Sequence, residues 1–224
     1  PDIAIGAGHK THLYLLAIKR CFGAKIVVIM KPSLPLKFFD LCVIPKHDGV
    51  KSVSNVFITN TPLVNFNLNK KKKENMALFL IGGPSKHYYW DSKRVLEQIK
   101  NISKQFKFKK LLITTSRRTP IEFINEFNKS KIKNIKLYEH TKIMNDWLDK
   151  NIIKVKNIWV TNDSYSMLIE AVASGAYTDI LELKMKKKSK LSGEINTIKK
   201  KIRNKITIQN EAERVAKFIQ KIWF

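Results

Sequence analysis

Three short stretches bring glycine, hydroxyl and cationic side chains together in the way that oxyanion sites require. The first is IGGPSKHYYWD, residues 81 to 91. Gly82 and Gly83 permit close approach of a ligand to the backbone, and Ser85 can donate to a phosphate near a helix start. A structural turn needs the same glycines, so this stretch is weak on its own. The second is TTSRRTP, residues 114 to 120, where Arg117 and Arg118 add guanidinium forks to the hydroxyls of Thr115, Ser116 and Thr119. A solvated loop is the competing reading, since exposed charges often contribute little. The third is VTNDSYSMLIEAVASG, residues 160 to 175. Asp163, Ser164 and Ser166 mark a helix N-terminus, whose free N–H groups and positive dipole end suit a diphosphate. Glu170 lies on the same helical face as Asp163, where its carboxylate can hold the two hydroxyls of a ribose.

Histidines supply a different chemistry. IGAGHKTH sets His9 and His12 three residues apart after a glycine turn. A zinc pair on a helix is usually spaced by four, with further ligands in recognisable positions, and none follows here. The chain also lacks an Asp-x-Asp motif, so no metal or other cofactor is expected. An ordinary imidazole titrates near pH ~6.5, which suits a general base. His9, at a strand end behind Gly6 and Gly8, is the candidate base, with His47 and Asp48 of the PKHD turn as the alternative. His12 is expected to face the helix interior or its cap.

Several elements must position these groups. Residues 3 to 5, 25 to 30, 41 to 44 and 55 to 59 are short apolar runs flanked by Gly or Pro, each read as a buried parallel strand. THLYLLAIKRCFG between the first two reads as a helix, with Leu13, Leu16, Ala17 and Arg20 on one face and Gly23 as the stop. Residues 65 to 75, with four consecutive lysines, read as a linker. A second series follows: strands at 76 to 83, 110 to 115, IKLYEH and 157 to 161, alternating with helices at 91 to 106, TPIEFINEFNKS and 163 to 175. The lysine-rich run 184 to 205 reads as a surface loop with a short helix. NEAERVAKFIQKIWF reads as a helix that closes the second domain. Alternating strands and helices specify α/β, with two doubly wound, Rossmann-like parallel-sheet domains, 1 to 64 and 76 to 224.

Composition bounds the rest. The chain has 224 residues, 44% of them hydrophobic, enough for one large core or two small ones. The net charge of +25 comes mostly from lysines scattered along the chain amid Asn, Ile and Phe. That pattern fits an AT-rich genome better than a nucleic-acid surface, so no nucleic-acid partner is expected. A basic surface still favours phosphate-bearing substrates and peripheral contact with anionic membranes. No apolar run is long enough to span a bilayer, and the start has no signal-peptide pattern, which points to a cytoplasmic protein. Cys21 and Cys42 lack C-x-x-C spacing and are expected to be reduced and buried. The chain opens on Pro1 and reads as a trimmed or fragmentary start.

IGAGHKTH, MKPSLPLKFFDLCVIPKHD, LIGGPSKHYYWD, TTSRRTP and VTNDSYSMLIEAVASG, in this order over residues 1 to 175, together resemble the glycosyltransferase-like family related to the plant mitochondrial-fission factor ELM (elongated mitochondria). The resemblance implies a GT-B-like fold, in which two Rossmann-like domains face across a cleft and the second holds a nucleotide-sugar donor. It implies that Gly83, Ser85, Ser116, Arg117, Ser164 and Glu170 line the donor site. It also implies an incomplete first domain, because the family begins with further βα units, and a donor pocket whose border near AYTDILELK lacks the usual proline. The expected activity is metal-independent sugar transfer to a lipid or saccharide acceptor at the inner face of a membrane. A nucleotide-sugar epimerase of the same fold and a non-catalytic fission-type adaptor are the alternatives. Family likeness of this kind speaks to fold before function.

Overall fold

A computed structural model describes the chain except for residues 52, 65–72, 131, 133, 145 and 204–208 and the side chains of residues 191 and 203. Among the described residues there are nine strands and seven α-helices: β1 (Ile3–Ala7), α1 (His12–Phe22), β2 (Lys25–Ile29), β3 (Leu41–Pro45), β4 (Val56–Thr59), β5 (Glu74–Ile81), α2 (Ser92–Gln105), β6 (Lys110–Thr115), α3 (Ile121–Lys129), β7 (Ile135–Tyr138), α4 (Trp147–Ile152), β8 (Val155–Thr161), α5 (Tyr165–Ala173), β9 (Tyr177–Leu181), α6 (Lys190–Arg203) and α7 (Glu211–Trp223). The chain divides into two units, Pro1–Val64 with Gln209–Phe224, and Asn65–Ile208. Most of the expected linker lies outside the described residues, and its last residues, Glu74 and Asn75, already belong to β5.

The first unit carries a parallel sheet in the order β1-β2-β3-β4. Its central strands are apolar on both faces because both are covered. Ile26, Val28, Cys42 and Ile44 pack with Leu15 of α1 and Phe39, whereas Val27, Leu41 and Val43 pack with Val215 of α7. This is the two-residue period of a strand resolved into two separate cores. The C-terminal helix therefore completes the first unit, not the second as its place in the sequence suggested. Asn210 caps it by accepting from the Glu213 N–H at 3.1 Å. Buried Glu211 accepts from Asn60 Nδ2 at 3.0 Å and pairs with Arg214 at 2.8 Å, fixing the helix start beside the end of β4.

The face shared by Leu13, Leu16, Ala17 and Arg20 is not the one that α1 buries. His12 and Leu15 are its buried residues, while Leu13 is 73% exposed and Ala17 also faces outward. LYLLAI is apolar on nearly every side, so periodicity does not select a face; packing against Phe39 does. Cys42 is buried as expected, but Cys21 is exposed.

The second unit carries a parallel sheet in the order β7-β6-β5-β8-β9. The chain moves outward from β5 to β7, then returns to place β8 on the other side of β5. Such a reversal leaves a crevice outside the carboxyl ends of the two central strands. Met76–Ile81 of β5 is buried throughout, and Phe79 stacks on Trp159 of β8 at 5.4 Å. Helix α4, absent from the sequence expectation, has six residues held by Trp147 against Tyr138 at 4.4 Å, a tertiary contact. Helix α6 is longer than the short helix expected, 14 residues whose buried Ile195 and Ile198 are submerged among lysines in the sequence.

Candidate functional site

The crevice lies where β5 ends at Ile81 and β8 ends at Thr161. The Gly82 N–H donates to Thr161 Oγ1 at 2.8 Å, and the Gly83 N–H donates to Asp163 Oδ2 at 3.1 Å. Arg118, in the loop after β6, pairs with the same Asp163 oxygen at 2.7 Å and donates through Nη1 to the Pro84 carbonyl at 3.2 Å. The Asp163 side chain is fully buried, whereas that of Arg118 is 43% exposed. A Cβ on Gly82 would stand 2.3 Å from both Asp163 carboxylate oxygens, and one on Gly83 would stand 1.9 Å from the Arg118 carbonyl oxygen. Both glycines are thus demanded by the protein's own atoms, and both N–H groups turn inward. The close phosphate approach expected of them has no N–H of either residue to offer.

The loop after β6 is built around Thr119. Its Oγ1 lies 2.9 Å from the Ile81 carbonyl oxygen and 2.6 Å from that of Gly82, and it accepts from the Ser116 N–H at 2.9 Å. Ser116 Oγ accepts from the Arg118 N–H at 3.2 Å. The adjacent arginines part ways, for Arg118 is committed to Asp163 and Pro84 while Arg117 points outward and is exposed. Thr115 turns toward the end of β7, accepting from the His140 N–H at 2.9 Å, with His140 Nδ1 3.3 Å away.

Beside this cluster an open groove of about 530 Å³ is lined by Pro84, Ser85, Lys86, Arg118 and Lys186. Ser85 Oγ accepts from the N–H groups of His87 at 3.2 Å and Tyr88 at 3.1 Å, closing a local turn. The loop after β9 lies antiparallel to that turn. Tyr88 bridges Met185, Tyr89 N–H donates to the Lys184 carbonyl, and Lys186 N–H donates to that of His87. Lys186 Nζ donates to the Ser85 carbonyl at 2.9 Å. Tyr88 is buried, and burial, followed by the charges of Glu182 and Asp163, pushes its hydroxyl pKa upward, which keeps it neutral.

At the start of α5, Ser164 occupies the N-cap position with extended backbone, φ −124 and ψ 101, and Ser166 is exposed in the first turn. The first turn of any helix leaves N–H groups without intrahelical partners, and here the neighbouring Asp163 charge is offset by Arg118. Glu170 is half-buried farther along α5; burial and then the nearby Asp149 carboxylate raise its pKa.

In the first unit, His9 is exposed in a single 3-10 turn after Gly8, whose φ of 82 favours glycine. His12 is buried, edge-on to Phe39 at 5.5 Å and 3.3 Å from Ser33 Oγ, as a core residue. His47 Nε2 lies 3.6 Å from Asp48 Oδ1. His9 and Asp48 both follow the carboxyl ends of parallel strands, β1 and β3, with β2 between them. Two strand spacings are roughly 10 Å, so the histidine and the carboxylate share an edge without being neighbours. Among the described residues, no group of three His, Cys, Asp or Glu gathers as metal ligands.

The structure therefore unites Gly82, Gly83, Arg118 and Asp163 in direct contact, with Ser85 and Ser116 beside them. It turns Thr115 toward His140 and sets Glu170 toward Asp149. Thr161, Lys86 and Lys186 stand outside the set of site residues expected from the sequence. Thr161 is the last residue of a recognisable strand, a usable signal; Lys186 stands 101 positions from its Ser85 partner in a lysine run that distinguishes none of its members.

No helix among the described residues is long and apolar enough to cross a membrane. The chain is similar to an uncharacterized protein, RP120, of Rickettsia prowazekii (strain Madrid E), with 26% identity over 228 residues, covering 78% of this chain and 63% of that protein. It thus spans less than two thirds of that relative's length. A protein assigned as a UDP-N-acetylglucosamine 2-epimerase from Listeria monocytogenes matches in structure with a TM-score of 0.54 and 11% identity, covering 88% of this chain and 60% of the other. The S. aureus MnaA–UDP co-structure matches with a TM-score of 0.48 and 12% identity, covering 90% of this chain and 65% of the other. The α/β class, GT-B-like with two Rossmann-like parallel-sheet units, is as expected. A family model described as Mitochondrial fission ELM1 matches residues 1–221, and the chain belongs to that family.

Proposed function

We propose that the protein is a metal-independent glycosyltransferase that takes a sugar from a nucleotide-sugar donor and passes it to a lipid or saccharide acceptor. One observation carries the reading: the reversal of strand order between β5 and β8 coincides with the start of α5 and with a groove bearing three cationic side chains. Open α/β sheets bind ligands at such a point, and a helix N-terminus favours a phosphate. The Listeria structural relative, by its name, acts on a UDP-sugar, which fits the same class of donor.

In this reading the α5 N-terminus at Ser164 and Ser166, with Arg117 and Arg118, stabilises the departing diphosphate, and Ser85 and Ser116 donate to it. Glu170 holds the ribose hydroxyls. The acceptor oxygen attacks the anomeric carbon, the bond from that carbon to the diphosphate oxygen breaks, and the acceptor proton passes to His9. Asp48 acting with His47 is the alternative base. Peripheral contact with an anionic membrane at its inner face would bring a lipid acceptor within reach.

Thermal unfolding with UDP-, GDP- and ADP-sugars tests the donor. One nucleotide class should raise Tm in the wild type and fail to do so in Arg117→Ala or Glu170→Ala. No shift with any nucleotide would sink the reading. Product analysis then separates the chemistry: epimerised donor formed without an acceptor would replace transfer by epimerisation.

A further inference from the structure

We propose that the lysine loop after β9 completes an anion site, in which Lys186, Lys86 and Arg118 together read the two phosphates of a diphosphate. The donor reading supplies only the identity of the molecule that carries the diphosphate; the anion site rests on the loop itself.

Lys186 and Arg118 are tethered to carbonyls of consecutive residues, Lys186 Nζ to Ser85 at 2.9 Å and Arg118 Nη1 to Pro84 at 3.2 Å. Lys86 lines the same groove. Like charges gathered around one turn repel each other, and a polyanion relieves that repulsion. Asp163 offsets Arg118, Glu182 is paired with Lys199, and Tyr88 is neutral, so among the described residues neither lysine pairs with a carboxylate. Two lysine charges without an ion-pair partner among the described residues, in a groove of about 530 Å³, suit a diphosphate better than a single phosphate. The placement of Lys186 is built in, because the Tyr88–Met185 bridge and the Lys186 N–H to His87 carbonyl bond hold its backbone against the glycine turn.

Binding of inorganic pyrophosphate, UMP and UDP can be measured calorimetrically for the wild type and for Lys186→Ala, Lys186→Arg and Lys187→Ala. Lys187 is exposed outside the groove, so its loss changes net charge equally. Lys186→Ala should weaken pyrophosphate binding by about tenfold. Lys186→Arg should restore most of it, Lys187→Ala should leave it within about twofold, and UMP should bind more weakly than UDP throughout. Equal losses in Lys186→Ala and Lys187→Ala would reduce the effect to net charge and overturn the proposal. So would unchanged pyrophosphate binding in a folded Lys186→Ala, even if the wild type binds UDP and the donor reading stands. Conversely, Lys186-dependent binding of pyrophosphate without binding of any nucleotide would keep this site and remove the donor reading.

Discussion

Arg118 and Asp163 form an ion pair of 2.7 Å that joins the loops after β6 and β8 across the end of the strand between them, β5. The bridge passes over Gly82 and Gly83 so closely that a methyl group has no room at either. Gly83→Ala, facing the Arg118 carbonyl at 1.9 Å, should destabilise the protein by roughly 2–4 kcal/mol, because backbone must move. Gly193→Ala in α6, where nothing lies within 4 Å, should stabilise by about 0.5–1 kcal/mol. Urea unfolding of both variants reads the contrast directly.

The two partners of the pair should contribute unequally. Asp163→Ala strands the buried Gly83 N–H and leaves Arg118 without its counter-charge, a loss of roughly 2–4 kcal/mol. Arg118→Ala leaves the fully buried Asp163 carboxylate without its counter-charge and should cost more, roughly 3–5 kcal/mol. A double-mutant cycle should return a coupling of about 1 kcal/mol, and additive losses would show that the pair is not a working contact.

Glu170 should make stability depend on pH in a defined sense. Its folded pKa is raised above the ordinary 4.5 by burial and by Asp149, so the folded state holds its proton more tightly than the unfolded one. Below the ordinary value both states are protonated and Glu170→Gln should change little. As pH rises toward and through the raised value, the wild type loses stability relative to the Gln variant, and the gap then levels off. Unfolding free energies from pH 4 to 8 should therefore favour the variant increasingly at the upper end.

The cysteines should separate by accessibility. Cys42 is buried and its thiol is pushed up to about 11, whereas Cys21 is exposed. Iodoacetamide at pH 8 should add one adduct to the native protein, at Cys21, and two in urea. Mass spectrometry showing native modification of Cys42 would contradict the packing of β3.

Deleting residues 211–224 should unsettle the first unit, although they end the chain. Val27, Leu41 and Val43 would lose the cover of α7, at roughly 1.5–3 kcal/mol for each side chain uncovered. The shortened protein should bind a hydrophobic dye that the full chain does not.

Local chemistry determined much of this protein from sequence. Apolar, β-branched runs such as KIVVIM and KLLITT could only be strands buried on both faces, and Gly23 and Asp91 mark helix ends by their own backbone needs. The glycine, serine and arginine motifs were legible because parallel strands place the loops after them on one edge. Tertiary structure decided what those side chains face. Whether Gly82 and Gly83 offer N–H groups outward or inward depends on Thr161 and Asp163, 79 and 80 positions away, and Arg118 could reach that carboxylate only once β5 lay between β6 and β8. Strand order, the packing of α7 on the first unit and the choice of Lys186 from a run of lysines are likewise contacts between distant segments. Hydrophobic period and turn chemistry act over a few residues, and nothing in that range encodes which loops will meet.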